Sequence, residues 1–126
     1  ALESLAESKF AYTGQHHKIV DKTNDQIMVN DIGICLYRIA QEAYTNILKH
    51  ANASKVITTL SIKNNEIIMT IEDDGNGFNT KSIDQTKSMG LIGIAERVLQ
   101  IHGSVKIDSS EKGTTLITNL PLGNHE

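Results

Sequence analysis

Apolar positions recur along this chain with two periods, and the switches between them mark out its elements. Ile32, Leu36, Ile39, Ala40, Ala43 and Ile47 fall on one face at a spacing near 3.6, which predicts a long amphipathic helix from about Ile32 to Ala51. The polar stretch 23–31 ahead of it supplies candidate N-caps in Asn30 and Asp31. Lys55–Ile62 is rich in β-branched residues, Asn64-Asn65 is a turn signal, and Glu66–Glu72 reads as a returning strand. Further on, Leu91–His102 predicts a helix stopped by Gly103. Residues 104–109 and 114–120 predict two strands, turned at Glu111-Lys112-Gly113 and ended by Pro121. Upstream, residues 2–13 predict a short helix ending at Gly14, and residues 16–22 an edge strand. Three helices and about five strands in this order give an α+β class: a mixed or antiparallel sheet with helices on one face.

Composition narrows the possible partners. A chain of 126 residues with 39% hydrophobic and 21% charged residues suits one globular domain. Its net charge of −3 argues against a nucleic-acid surface, and 4% aromatics without tryptophan argue against a stacking platform. No apolar run reaches the roughly 18 residues of a spanning helix. Cys35 stands alone, so no internal disulfide forms, which suits a reducing cytoplasm. The chain begins at Ala1 rather than Met, the pattern of a piece of a longer protein.

Three constellations carry candidate chemistry. Arg38, Glu42, Asn46 and Lys49 form a stripe roughly 80° wide beside the apolar face of the long helix. A solvated face with i,i+4 pairs accounts for such a stripe. Asn46, however, has poor helix propensity, and its amide oxygen is a hard ligand suited to Mg²⁺. Glu42 one turn earlier is placed to orient a water or nucleophile, and Lys49, joined by His50, to meet phosphate. The second is Glu72-Asp73-Asp74-Gly75-Asn76-Gly77-Phe78, an acidic turn where a strand-end aspartate can accept a hydrogen bond from an amino group. Ordinary turn chemistry explains it equally, but an EF-hand does not, since no glutamate closes the twelve-residue pattern. The third is Gly90-Leu91-Ile92-Gly93 at a helix start, where free N–H groups favour anions. It is neither a dinucleotide fingerprint nor a P-loop.

Taken in order, these segments resemble the GHKL superfamily of ATPases and kinases. Tyr37–Ala53 looks like its N box, in the form found in nitrate-sensor and desaturase-sensor type histidine kinases. Asp73-Asp-Gly75-Asn-Gly77-Phe78 is similar to the first glycine box, Gly90-Leu-Ile-Gly93-Ile-Ala-Glu-Arg97-Val to the second, and Gly113-Thr114-Thr115-Leu116 to the closing Gly-Thr element. The resemblance covers roughly residues 30–122. It implies a two-layer α/β sandwich, the Bergerat ATP-binding fold, with ATP and Mg²⁺ as cofactors and γ-phosphoryl transfer as the chemistry. Asp73 would then bind the adenine amino group, with Gly75 and Gly77 giving the base room and Thr114 beside the same pocket. Asn46 would hold Mg²⁺, with Glu42 as the catalytic acid assisting the reaction or the metal. Lys49 and His50 would meet the phosphates. Gly90, Leu91 and Gly93 would let residues 78–90 close as a lid.

A histidine kinase also needs an acceptor histidine. None of His16, His17, His50, His102 and His125 lies on a long helix before the N box. The expectation is that the phosphoacceptor lies outside the chain. Residues 1–14 then read as the end of a linker helix from a dimerisation and phosphoacceptor domain, 15–122 as the catalytic domain, and 123–126 as a disordered tail. The expected partners are ATP, that helical domain and, indirectly, a response regulator, with the isolated chain monomeric. The domain would be cytoplasmic, whether or not its parent is membrane-anchored. Three rivals share the motifs: a serine kinase acting on an anti-anti-sigma partner, an ATP-driven machine of the gyrase or chaperone type, and a regulatory module that binds nucleotide without transfer.

Overall fold

The computed structural model describes residues 2–10, 16–22, 31–48, 54–75, 96, 98–110 and 113–122. Its elements follow in the order α1 (Leu2–Phe10), β1 (His16–Asp21), α2 (Asp31–Asn46), β2 (Lys55–Lys63), β3 (Glu66–Asp73), β4 (Ser104–Ser110) and β5 (Gly113–Pro121). The five strands form one sheet in the order β1-β2-β3-β5-β4. β1 runs parallel to β2, with α2 in the crossover, and every other pairing is antiparallel. The sheet is therefore mixed, and β1 lies at its edge as the sequence predicts.

Strand alternation decides which face is buried. Along β5 the buried positions are Thr114, Leu116, Thr118 and Leu120. Their register partners on β3 are Asp73, Ile71, Met69 and Ile67, so this face of the central strands is mostly apolar, with Thr118 within it and the Asp73–Thr114 pair at its end. α2 lays Ile39, Ala40, Ala43 and Tyr44 onto that face, and α1 adds Leu5, Ala6 and Phe10. Two helices on one side of a sheet give the two-layer architecture, since each layer supplies the other's apolar partner. The rim of Phe10 meets the Tyr44 ring edge-on at 5.1 Å between centroids. The Tyr44 hydroxyl is hydrogen-bonded to the buried hydroxyl of Thr58 on β2.

The β2–β3 hairpin turns on Asn64 and Asn65, both left-handed, with φ of 53° and 62°. Two consecutive positive φ values match the right-handed twist of the strands, and asparagine tolerates them better than most residues.

Two helix ends differ from the sequence expectation. Regular helix in α2 stops at Asn46, and Ile47 and Leu48 continue it with the wider π spacing. Thr45 Oγ1 donates to the Gln41 carbonyl at 2.9 Å, competing for the acceptor that the regular ladder uses. Residues 49–51, expected to extend this helix, lie outside the described residues, as do residues 11–14 beyond α1. The second difference concerns the late helix, described at Glu96 and 98–100. The sequence predicts a helix through His102 stopped by Gly103, but His102 already takes the left-handed conformation that ends it, with φ of 64°. The Gly103 amide bonds the Val98 carbonyl at 2.8 Å and the His102 amide bonds that of Leu99 at 3.0 Å, which is a Schellman closure. Gly103 is needed for space: a Cβ there would meet the Asn119 carbonyl and a Leu120 methyl, each at 2.6 Å.

Candidate functional site

The site is built where β3 ends beside the start of β5. Asp73 is the last residue of β3 and pairs in register with Thr114. Its carboxylate accepts the Gly75 amide at 2.9 Å and a backbone hydrogen bond from Thr114. Burial raises its pKa above the ordinary carboxylate value, and the charge of Asp74 pushes the same way. The two backbone bonds oppose this but do not cancel it. The result is an anchored, partly desolvated acceptor at the head of the sheet. Thr114 beside it and Gly75 after it are both buried. Gly113 has φ of 137°, and a Cβ there would lie 2.0 Å from the Asp73 carbonyl. The glycine of the Gly113-Thr114 pair is thus what lets β5 start this close to the acidic turn.

Asp74 has a different task, one the sequence gives no sign of. Its carboxylate accepts the Ser54 amide at 2.7 Å and the Lys55 amide at 2.9 Å. These two bonds hold its pKa below the ordinary value. Asp74 thereby ties the start of β2, where the chain arrives from α2, to the acidic turn. The start of β2 and the strand end bearing Asp73 are thus held together. No local signal could have paired Asp74 with residues twenty positions earlier.

α2 contributes the remaining described candidates. Glu42 is half-buried, and Asn46 lies one turn later in the last regular turn. α2 packs on β3 and β5, the strands that carry Asp73 and Thr114. Glu42, Asn46, Asp73, Gly75 and Thr114 therefore belong to α2, β3 and β5 and their junctions. Lys49, His50, Gly77, Gly90, Leu91 and Gly93 lie outside the described residues. No group of three or more His, Cys, Asp or Glu side chains able to hold a metal occurs among the described residues. A helical carboxylate and carboxamide four apart do suit Mg²⁺, which keeps waters and substrate oxygens and needs few protein ligands.

A preset acceptor behind a glycine turn, on a five-stranded mixed sheet under an Asn-bearing helix, can be compared with known proteins. Residues 32–124 match the family model described as histidine kinase-, DNA gyrase B-, and HSP90-like ATPase. The chain belongs to this ATPase family. ATP is accordingly its nucleotide. Among curated relatives of this family, it is 34% identical over 110 residues to the signal transduction histidine-protein kinase/phosphatase DegS of Bacillus subtilis, covering 85% of this chain and 29% of that protein. It is 35% identical over 123 residues to the sensor histidine kinase MctS of Rhizobium johnstonii, covering 96% of this chain and 27% of that protein. The chain thus spans less than a third of the relatives it matches. The Acinetobacter baumannii histidine kinase AdeS shares the fold, with a TM-score of 0.79 at 13% identity, over 98% of this chain and 62% of that one. The expected Bergerat architecture is the one this chain adopts. No helix among the described residues is long and apolar enough to cross a membrane.

Proposed function

We propose that this chain is the catalytic domain of a two-component sensor histidine kinase and transfers the γ-phosphoryl group of ATP to a histidine outside residues 1–126. The observation that carries the reading is the Asp73 carboxylate, anchored by backbone bonds from Gly75 and Thr114 within a chain of the ATPase family whose relatives include sensor histidine kinases. A carboxylate fixed in this way accepts a hydrogen bond from the exocyclic amino group of adenine without reorganising. Gly75 and Gly77 leave the base room, and Thr114 lines the same pocket. Asn46 holds Mg²⁺, Glu42 assists as the catalytic acid or as a further metal contact, and Lys49 and His50 meet the phosphates. Gly90, Leu91 and Gly93 permit residues 78–90 to close over them. The bound Mg²⁺ supplies charge neutralisation on the phosphate oxygens. Positioning and charge are what phosphoryl transfer asks of a protein, since it needs little covalent help.

On this reading residues 1–14 end a linker helix from the dimerisation and phosphoacceptor domain, 15–122 form the cytoplasmic catalytic domain, and 123–126 are a tail. The chain alone is monomeric and labels itself negligibly. The test is incubation with Mg²⁺ and γ-labelled ATP, with and without a helical phosphoacceptor hairpin from a related sensor kinase. Acid-labile, base-stable label on the hairpin histidine is the expected result. Acid-stable label on serine, or equal acid-labile label on the chain alone, would overturn the reading.

A further inference from the structure

Besides burying Leu5, Ala6 and Phe10 in the core, α1 makes four side-chain contacts that bear on its placement. Three of them serve the interior and the sheet edge. Phe10 meets Tyr44 edge-on and stacks on His17 at 6.0 Å, and Glu7 lies 3.7 Å from His17 Nε2. The fourth stands apart. Lys9 Nζ donates to Thr45 Oγ1 at 3.0 Å, on the residue immediately before Asn46. Thr45 Oγ1 also donates to the Gln41 carbonyl, and the helix passes from regular to π spacing directly afterwards. Local widening of this kind recurs at functional sites, because it re-aims the residues around it.

We propose that α1 is a positioning element for the phosphate side of the nucleotide site, acting through the Lys9–Thr45 bond. The inference rests on the assignment of Asn46 and Asp73 made above. Successive helical residues differ in direction by about 100°. Fixing Tyr44 by Phe10 and Thr58, and Thr45 by Lys9, therefore fixes the rotation of the last regular turn. Asn46 is the next residue of that turn, so its backbone shares the rotation. The adenine side is built differently, from Asp73 on β3, Gly75 just beyond it and Thr114 on β5, with Asp73 held by the Gly75 and Thr114 backbone. Lys9 and Thr45 thus bear on magnesium–phosphate binding and not on recognition of the base.

The test separates the two halves of the ligand. Binding of Mg²⁺-ATP and of adenosine is titrated calorimetrically into the wild-type chain, Lys9→Met, Lys9→Arg, Thr45→Val and Asp73→Asn. Lys9→Met and Thr45→Val are expected to weaken Mg²⁺-ATP about fivefold, the scale of one net hydrogen bond, and to leave adenosine unchanged. Lys9→Arg, which keeps a donor, should restore much of the loss. Parallel weakening of both ligands would mean that the bond only supports the fold, and unchanged Mg²⁺-ATP would mean that it supports nothing at the site. Either result overturns the positioning role while wild-type binding and its loss in Asp73→Asn leave the nucleotide reading intact. Failure of the wild-type chain to bind either ligand would sink both.

Discussion

At the scale of single residues, two buried hydroxyls make opposite claims on stability. Tyr44 and Thr58 satisfy each other inside the core. Thr118, also fully buried, has a hydroxyl with no hydrogen-bond partner among the described residues. An unsatisfied buried polar group costs about 1–3 kcal/mol, whereas a satisfied one contributes modestly. Thr118→Val should therefore raise the unfolding free energy by about 1 kcal/mol. Tyr44→Phe should lower it by about 1–3 kcal/mol, because Thr58 is left orphaned. Chemical denaturation of both variants checks the pair, and a loss in Thr118→Val would contradict it. Asp73 makes a claim of its own. Its folded pKa is raised, so the folded state binds the proton more tightly than the unfolded chain does. Its contribution to stability declines as pH rises from the ordinary carboxylate value through the raised one. Above that window the ionised group is a burden on the ligand-free fold. Asp73→Asn should flatten this part of the pH–stability curve of the ligand-free chain, as thermal melts across the acid range would show.

At the scale of elements, what the sequence made legible depended on how local the cause was. The Asn64-Asn65 turn was readable because the residues that need left-handed φ are the ones that tolerate it. The long helix was readable from its apolar period, but the site of its widening was not, since that follows from a threonine hydroxyl meeting a carbonyl and a lysine from α1. The end of the late helix was readable to within one residue. A glycine after a helix commonly takes the left-handed position, whereas this fold spends Gly103 on a close approach to β5 and lets His102 carry the strained φ. This assignment has a measurable consequence. His102→Gly should stabilise by up to about 1 kcal/mol by relieving the positive φ. Gly103→Ala should cost about 2 kcal/mol, since its Cβ has backbone in the way. Equal effects of the two substitutions in urea titrations would refute the division of labour. The strand end at Asp73 was legible from the acidic, glycine-rich turn that follows it, while the role of Asp74 was not, because its partners Ser54 and Lys55 lie at the start of β2.

At the scale of the whole molecule, the described part of the proposed site lies on α2, β3 and β5. β3 and β5 hold a fixed acceptor, α2 packs on the same strands, and Asp74 ties the start of β2 to the end of β3. On the proposed reading, the sheet would serve as the wall for the base and the helix end would serve the phosphates. The most direct measurement is calorimetric titration of ATP, with and without Mg²⁺, into the wild-type chain and Asp73→Asn. The account expects saturable binding by the wild type that strengthens with Mg²⁺ and is lost in a folded Asp73→Asn protein. Undiminished binding by Asp73→Asn, or no binding by a folded wild-type sample, would contradict it.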